Sequence, residues 1–476
     1  MKNNSPSTLT KNDIIPLEIT ALSSDGAGIA RYTGIENGDG TISAADTGSM
    51  VVFVPGAAVG DRAQVRIVKV TKTHCFGRVE ELTVPSPDRV TPDCPAYPQC
   101  GGCDLRHLTY ERESSHKQEF VRDALQRIGG LQIPMEPIES GADRHWRNKA
   151  IFSVGMQEGR AVCGFFAARS HRVVPTPVCA LHPPVFDEAV AVFTEFVHTY
   201  NLPVYDETSG KGLIRNLFLR RGERTGELMV MPVIAGRRLP YADELVARLR
   251  QALGDKGLVS VMINVNRQDT NLVLGKTCLL LWGHEWIEDE LCGLRLRISP
   301  HSFYQVNTAM AERLYQKAAE YAAPEGGTLL DLYCGIGSIG LSMASRAEAI
   351  VGVEVTQRAV ADAQENAASN GIKNARFVCG DAVEAAARLA DEGVQPEVVL
   401  VDPPRKGLDQ ALIETICGNY HPSRVVYISC DAGTLARDCA RFAALGYAAE
   451  KAATFDLFPR TRHVETVVLF ERKNSD

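Results

Sequence analysis

The stretch GTLLDLYCGIGSIGLSMASRA, residues 327–347, decides the fold class. It opens with an apolar run broken only by Asp331, the pattern of a buried strand. Gly335, Gly337 and Gly340 follow in the spacing G-x-G-x-x-G, and a helical pattern opens after them. Glycines there let the backbone approach a ligand at the end of a strand. Nicotinamide enzymes use the same spacing, so the loop alone names no cofactor.

Outward from the loop the chain alternates strictly. "AMAERLYQKAAEYA" is helical before it. After it come the strand "AIVGVEV", the helix "QRAVADAQENAASNG", the strand "ARFVCGD" and the helix "AVEAAARLAD". "PEVVLVDPP", "LIETICGNY" and "RVVYISC" continue the series. This pattern predicts an α/β fold, a Rossmann-like parallel sheet wound with helices on both faces, over residues 301–476. Its strands also end in acids: Asp331, Glu354, Asp381 and Asp402. Such a row suits S-adenosylmethionine, which carries an ammonium and a sulfonium. It suits a pyrophosphate badly, because like charges repel. A helix cap is the plain alternative for any one of the four.

The rest of the 476-residue chain is too long for one core and is expected to add domains. Residues 1–12 are polar, without the apolar centre of a signal peptide, and read as a disordered lead. No apolar run is long enough for a membrane span. A cytoplasmic protein is expected. Residues 13–86 contain "PLEITAL", "MVVFVPG" and "RAQVRIVKVTKTHCFGRVEEL", short β-rich pieces between turns. They predict a small OB-like β-barrel, a common oligonucleotide platform. "TVPSPDRVTPDCPAYPQCGGCDL" is too rich in Pro and Gly for regular structure and marks a boundary. A helix over about 107–130 follows. Residues 87–300 read as a central α+β domain with no internal repeat.

The net charge of −7 argues against a general nucleic-acid coat but leaves room for local basic patches. Two segments interleave cations and aromatics, the mixture that pairs phosphates and stacks bases. One holds Arg144, Trp146, Arg147 and Lys149. The other holds Lys211, Arg215, Arg220 and Arg221. A solvated face is the plain alternative for each. The 13 cysteines are an odd number without an export signal, which argues against a disulfide framework. Cys94, Cys100 and Cys103 form C-x5-C-x2-C, with Cys179 as a fourth candidate and Cys163 as its rival. The spacing suits zinc or a four-iron cluster equally.

The stretch "VYISCDAGTLARD", residues 426–438, ends a buried strand on Cys430 and opens a helix. By periodicity alone that thiol is a small core filler. "DLYCGIG", "VDPPR", "YISCDAGTLARD" and "FPRTRHVETV" change the reading. In this order they resemble the RNA uracil-5-methyltransferase family. "SFYQVNTAMAERLY" and "IRNLFLRRG" are similar to further family segments, and "DGAGIARY" with "VVFVPGAAVGDRAQVRIVKV" resembles the TRAM domain. The likeness runs from about residue 14 to 470 and is strongest to the iron–sulfur type that modifies 23S ribosomal RNA.

The resemblance implies S-adenosylmethionine as methyl donor, with contacts at Gln305, Tyr333, Ser338, Glu354, Asp381 and Asp402. It implies Cys430 as nucleophile and Glu465 as proton-abstracting base. It implies a [4Fe-4S] cluster on Cys94, Cys100, Cys103 and Cys179, and 23S ribosomal RNA as partner of a monomer. Asp431 and Ala432 stand where the family has Asn-Pro, and Ser338 where Asn is common. The chemistry needs a thiolate on C6 of uracil to make C5 nucleophilic, a methyl donor, and a base for the C5 proton. The helix after Cys430 is expected to favour the thiolate. Phe455, Phe458 or Tyr427 are candidates to line the base pocket, with core packing the plain reading for Tyr427. Transfer RNA as substrate, or a non-catalytic RNA-binding or redox-sensing protein, are the rival readings.

Overall fold

The computed structural model describes residues 9–32, 50–268 and 272–473. The first eight residues of the expected lead lie outside that range. Leu9 already packs in the barrel core, so ordered structure begins before residue 13. Two compact units are present: residues 1–117 with 460–462, and residues 118–459 with 463–476.

The first unit holds a six-stranded sheet. Its strands are β1 (Ile14–Glu18), β2 (Ala21–Leu22), β3 (Gly28–Tyr32), β4 (Met50–Val54), β5 (Arg62–Val70) and β6 (His74–Val84), in the order β1-β5-β6-β4-β3-β2. Alternation puts Val52, Val54, Val65, Ile67 and Cys75 inside with no exposed surface. Asp61 lies buried at the end of this core and accepts N–H bonds from Ala58 (2.6 Å) and Ser86 (2.9 Å). It thereby ties the barrel to the cysteine-rich loop that follows. Helix α1 (Tyr110–Arg127) begins in this unit. Lys117 and Glu113, both fully buried on it, pair at 2.8 Å, and Glu113 accepts the Arg460 N–H at 2.6 Å.

The second unit contains two seven-stranded sheets. The first has β7 (Lys149–Gln157), β8 (Arg160–Phe166), β9 (Val173–Pro175), β10 (Ile214–Arg221), β11 (Leu228–Ile234), β12 (Leu258–Val265) and β13 (Thr277–Gly283), in the order β13-β12-β11-β10-β7-β8-β9. Only β11 and β12 pair in parallel. Helices α2 (Pro184–Thr199) and α3 (Ala242–Leu253) bury their apolar stripes on one face with Leu217, Leu219, Val230 and Val261. Phe218, Met229, Met231 and Met262 face the other way. They join a core that includes the hairpin β14 (Ile287–Leu291) and β15 (Leu294–Ile298) and helix α4 (Thr308–Ala322).

The second sheet is the alternating one. Along the chain run β16 (Thr328–Leu332), α5 (Ser338–Ser342), β17 (Ala349–Glu354), α6 (Gln357–Ser369), β18 (Ala375–Cys379), α7 (Ala382–Asp391), β19 (Val398–Val401), α8 (Gln410–Thr415), β20 (Arg424–Ser429), α9 (Ala432–Ala444), β21 (Tyr447–Phe455) and β22 (Glu465–Arg472). The order is β18-β17-β16-β19-β20-β22-β21. The first five strands are parallel, as the alternation predicts, and β22 pairs antiparallel with both neighbours. β21 and β22 follow each other without a helix, so they close the sheet as a hairpin-like edge. Alternate residues face opposite cores: Leu329, Val467 and Leu469 one, Leu330, Val468 and Phe470 the other. Val121, Ala124 and Leu125 of α1 pack into the second core. β16 sits between β17 and β19, so the chain reverses its direction of growth there. In such sheets the crevice at that reversal, beyond the carboxyl ends of the strands, takes the ligand.

Candidate active site

The glycine loop lies at that reversal. Gly335 and Gly337 adopt φ of 56° and 81°, a left-handed backbone that glycine takes without steric cost. Gly340 donates its N–H to Asp331 Oδ2 at 3.0 Å, and a Cβ on Gly340 would stand 2.7 Å from that oxygen. The other oxygen, Asp331 Oδ1, is buried without a partner. Burial pushes the Asp331 carboxyl up to about 8, with the Asp402 and Glu354 charges adding to it. Asp402, directly after β19, is pushed up to about 7 by burial alone. A buried and a half-buried carboxyl at adjacent strand ends, the buried one with an orphaned oxygen, fit a cationic ligand.

The remaining expected contacts surround the same loop. Glu354 ends β17 and receives the N–H groups of Gly335 (3.3 Å) and Thr356 (2.8 Å). Tyr333 takes φ of 68° at the turn out of β16. Ser338 is the first residue of α5, its hydroxyl 3.2 Å from Tyr315. Gln305 is buried just before α4, and its carbonyl accepts Asn148 Nδ2 at 2.9 Å. Asp381 is the cap of α7 and accepts the N–H groups of Val383 and Glu384. For this member of the acid row the plain alternative describes its bonds.

Cys430 and Glu465 meet through sheet register. β20 and β22 pair with Ser429 opposite Thr466, so the residue after β20 faces the first residue of β22. Glu465 is 4% exposed, and burial first, then the Asp402 charge, holds its carboxyl well above the usual range. The Cys430 thiol is pushed up to about 12, by burial first, then by Glu465 and Asp402, with Arg405 opposing. A backbone hydrogen bond acts on the thiol in the direction expected of the helix end, while burial and the two carboxyls act the other way. Asp431 is not among the charges that move the thiol. It caps α9, accepting the Thr434 N–H at 2.8 Å.

Asp438 is a residue the sequence did not single out. It is fully buried and accepts the Tyr427 hydroxyl (2.9 Å) and the Leu408 N–H (2.8 Å), while Arg437 and Arg441 pair with it. It fastens the loop after Asp402 onto α9. Arg437 serves that fastening, donating also to Lys406 O at 3.0 Å, and does not address the thiol. Asp438 lies eight residues beyond Cys430, two helical turns along, the one signal that places it at this end of the sheet. Tyr427 and Phe455 are fully buried core residues, which leaves Phe458 of the three aromatics. Phe458 is half-buried, edge-on to Trp146 at 6.3 Å and to His463 at 6.0 Å.

The basic segments divide. Arg220 is buried and spends Nη1 on Ser299 O and Nη2 on Ser302 O (3.0 Å), so it is not available to phosphate. Arg215 binds the carbonyls of Asn266 and Gln268. Burial, then Arg220 and Arg147, pushes the Lys149 amine down to about 7. A cleft of about 170 Å³ is lined by His145, Trp146, Asn148, Pro183, Pro184, Arg221 and Glu223. Trp146 Nε1 and Arg221 Nε are buried there without partners.

Cys94, Cys100 and Cys103 share one loop. The Cys103 thiol is pushed up to about 11 by burial, with Arg106 opposing and Cys100 and Cys94 adding to it. Arg106 is buried, pairs with Asp93 through Nη1 and hydrogen-bonds to Cys103. Cys179 is buried in the other unit, its N–H on Asp187 Oδ1 at 3.2 Å. Cys163 is a core residue of β8. Among the described residues no group of three His, Cys, Asp or Glu side chains stands in a metal-holding arrangement. No described helix is long and apolar enough to cross a membrane.

Comparison with known proteins places these features. Residues 280–473 match the family described as tRNA (uracil-5-)-methyltransferase, and residues 9–79 match the TRAM domain. An uncharacterized RNA methyltransferase of Halalkalibacterium halodurans is 38% identical over 469 residues, covering 98% of each chain. One from Clostridium tetani is 35% identical, again over 98% of each. Among solved structures, the Pyrococcus abyssi tRNA (uracil-54, C5)-methyltransferase in complex with S-adenosyl-L-homocysteine has a TM-score of 0.74. It is 26% identical, with 95% of this chain and 99% of that one covered.

Proposed function

The chain belongs to the RNA (uracil-5-)-methyltransferase family, with an N-terminal TRAM domain, and from that premise we propose how and on what it acts. It methylates C5 of uridine in RNA with S-adenosylmethionine. The proposed target is a uridine of 23S ribosomal RNA, and the proposed route is a covalent adduct of Cys430. The observation that carries the route is that Cys430 and Glu465 directly follow and precede the Ser429–Thr466 pair of β20 and β22, with the Glu465 and Asp402 charges acting on the thiol.

S-adenosylmethionine supplies a methyl group on a sulfonium. The acid row of Asp331, Glu354 and Asp402, with Gln305, Tyr333 and Ser338, would hold it, and Asp381 would shape the rim through α7. Cys430 Sγ adds to C6 of the uracil, and the electron pair moves to O4. As the enolate pair returns, C5 forms its bond to the methyl group while the methyl–sulfur bond breaks, its electron pair staying on sulfur, and S-adenosylhomocysteine would leave. Glu465 in its carboxylate form takes the proton from C5, and the Cys430–C6 bond breaks to return the thiolate. Arg405 is the cation beside the thiol that favours this ionised form. Flipping the target base from its stack brings C6 to the thiol.

Trapping with 5-fluorouridine-containing RNA tests the route, because fluorine on C5 cannot leave as a proton. A stable adduct with wild-type protein and none with Cys430→Ala is expected. No adduct, or an equal one with the variant, overturns the route. Labelled methyl transfer to purified 23S and transfer RNA tests the target. The likeness to the P. abyssi transfer RNA enzyme favours the second substrate, and label in transfer RNA alone would establish it.

The cluster is a further part of the proposal. Cys94, Cys100, Cys103 and Cys179 would hold [4Fe-4S]. Three thiols on one loop, with the buried Arg106 guanidinium hydrogen-bonded to Cys103, suit an anionic group. Thiolate ligands assemble on binding, so a preformed site is not required. The cluster would brace a segment too rich in proline and glycine to hold itself. Iron and acid-labile sulfide in anaerobically purified protein, lost in Cys100→Ser, are the expected result. Metal-free wild-type protein counts against it.

A further inference from the structure

The loop 456–464 joins β21 to β22 and delivers Glu465 as the first residue of β22. Its middle, Arg460–Arg462, belongs to the first unit, and Glu465 to the second. Sheet pairing holds Glu465 on one side only. Phe455 of β21 lies opposite it, whereas pairing with β20 begins one residue later, at Thr466. The rest of its placement comes from the loop before it.

That loop is held at its middle. Arg460 O accepts two N–H groups, from Asp104 at 3.0 Å and from Leu105 at 3.1 Å. Arg460 Nη1 donates to Leu108 O at 2.9 Å, and its guanidinium stands over the Tyr110 ring at 5.4 Å. Two residues on, the Arg462 N–H donates to Asp104 Oδ2 at 3.2 Å. Asp104 therefore holds the loop twice, by its main chain at Arg460 and by its side chain at Arg462. Arg460 takes φ of 71°, a left-handed conformation that a residue with a Cβ avoids unless its surroundings fix it. Joining two antiparallel strands does not require any of this, because two turn residues suffice.

We infer that Asp104 is a positioning residue for Glu465: it fixes Arg460–Arg462 and, through the chain at His463 and Val464, the point at which β22 begins. The inference rests on the reading of Glu465 as the base that clears the C5 proton. Addition of Cys430 and methyl transfer come before that step. Glu465 then takes the proton, the C5–H electron pair forms the C5–C6 double bond, and the C6–S pair returns to sulfur. A misplaced carboxylate stalls the reaction at the methylated Cys430 adduct. A role in folding alone would lower adduct and product together.

The test uses full-length protein, S-adenosylmethionine and an RNA that wild type methylates. It compares Asp104→Ala, Arg460→Ala and Asp104→Asn with wild type, and takes Glu465→Gln as the reference for a lost base. The readout is the ratio of denaturant-stable protein–RNA adduct to released methylated RNA, which does not depend on the folded fraction. Both alanine variants are expected to raise that ratio and to lower kcat about ten- to hundredfold, with KM for RNA unchanged. Deuterium at C5 should slow them more than it slows wild type. Asp104→Asn, whose amide oxygen still accepts the Arg462 N–H, should recover the wild-type ratio. A wild-type ratio in both alanine variants, with adduct present in Glu465→Gln, overturns the positioning role alone. No adduct in Glu465→Gln overturns the base assignment, and the positioning role with it.

Discussion

Cys430 sits in an environment that opposes its own ionisation. Burial and the neighbouring Glu465 and Asp402 push the thiol up, while Arg405 and a backbone hydrogen bond pull it down. In the ligand-free protein the thiol is therefore held toward its neutral form. Iodoacetamide labelling of Cys430, followed by peptide mass spectrometry, should be slow at neutral pH and should rise toward about 12. Arg405→Ala should slow it further, since the one favourable cation is lost. Fast labelling of wild type near pH 7 would contradict this picture. Asp431, the unusual neighbour in the sequence, acts on the helix: Asp431→Ala should cost about 1 kcal/mol in unfolding free energy through the lost cap.

The carboxyl ends of β16 and β19 carry a pH dependence with a defined sign. Asp331 at about 8 and Asp402 at about 7 are raised acids. Their protonated forms suit the ligand-free fold, so stability is fullest below the ordinary aspartate value and falls as pH rises through about 7 to 8. A bound cation reverses the preference. Binding of S-adenosylmethionine near pH 6.5 should release protons, and affinity should rise with pH until both acids are ionised. Titration calorimetry in buffers of different ionisation enthalpy measures that release, which Asp402→Asn should reduce. Zero release in wild type would remove the acid row from the ligand site. The loop after β19 has its own fastening in Asp438. Asp438→Ala leaves the Tyr427 hydroxyl and the Leu408 N–H unsatisfied. It should cost about 1–3 kcal/mol in urea unfolding and lower methyl transfer.

Across the whole chain, stability also draws on buried charges that take no part in the candidate site. Glu113 pairs with Lys117 and holds the Arg460 backbone, all within the first unit. Glu113→Ala removes the carboxylate that pairs with the buried Lys117 ammonium and should cost about 3–5 kcal/mol in unfolding. The alternation of strands and helices around Gly335, Gly337 and Gly340 was readable because its periods are local. So was the barrel, whose inward residues repeat every second position. The acid row was readable in part, since strand ends can be located but not the bonds made there. Asp381 proved to be a cap, and only coordinates distinguish a cap from a free carboxylate. Arg220 looked like a phosphate contact and is a buried clamp, because burial depends on elements 80 residues away along the chain. The pairing of Cys430 with Glu465 belongs to the same class. Local sequence names both residues, yet their meeting needs β22 to enter antiparallel beside β20, a long-range register. Element type, periodicity and the glycine loop follow from interactions within a few residues. Charge state, burial and the approach of Cys430 to Glu465 follow from which distant segments share a dielectric, and that is set when the sheet closes.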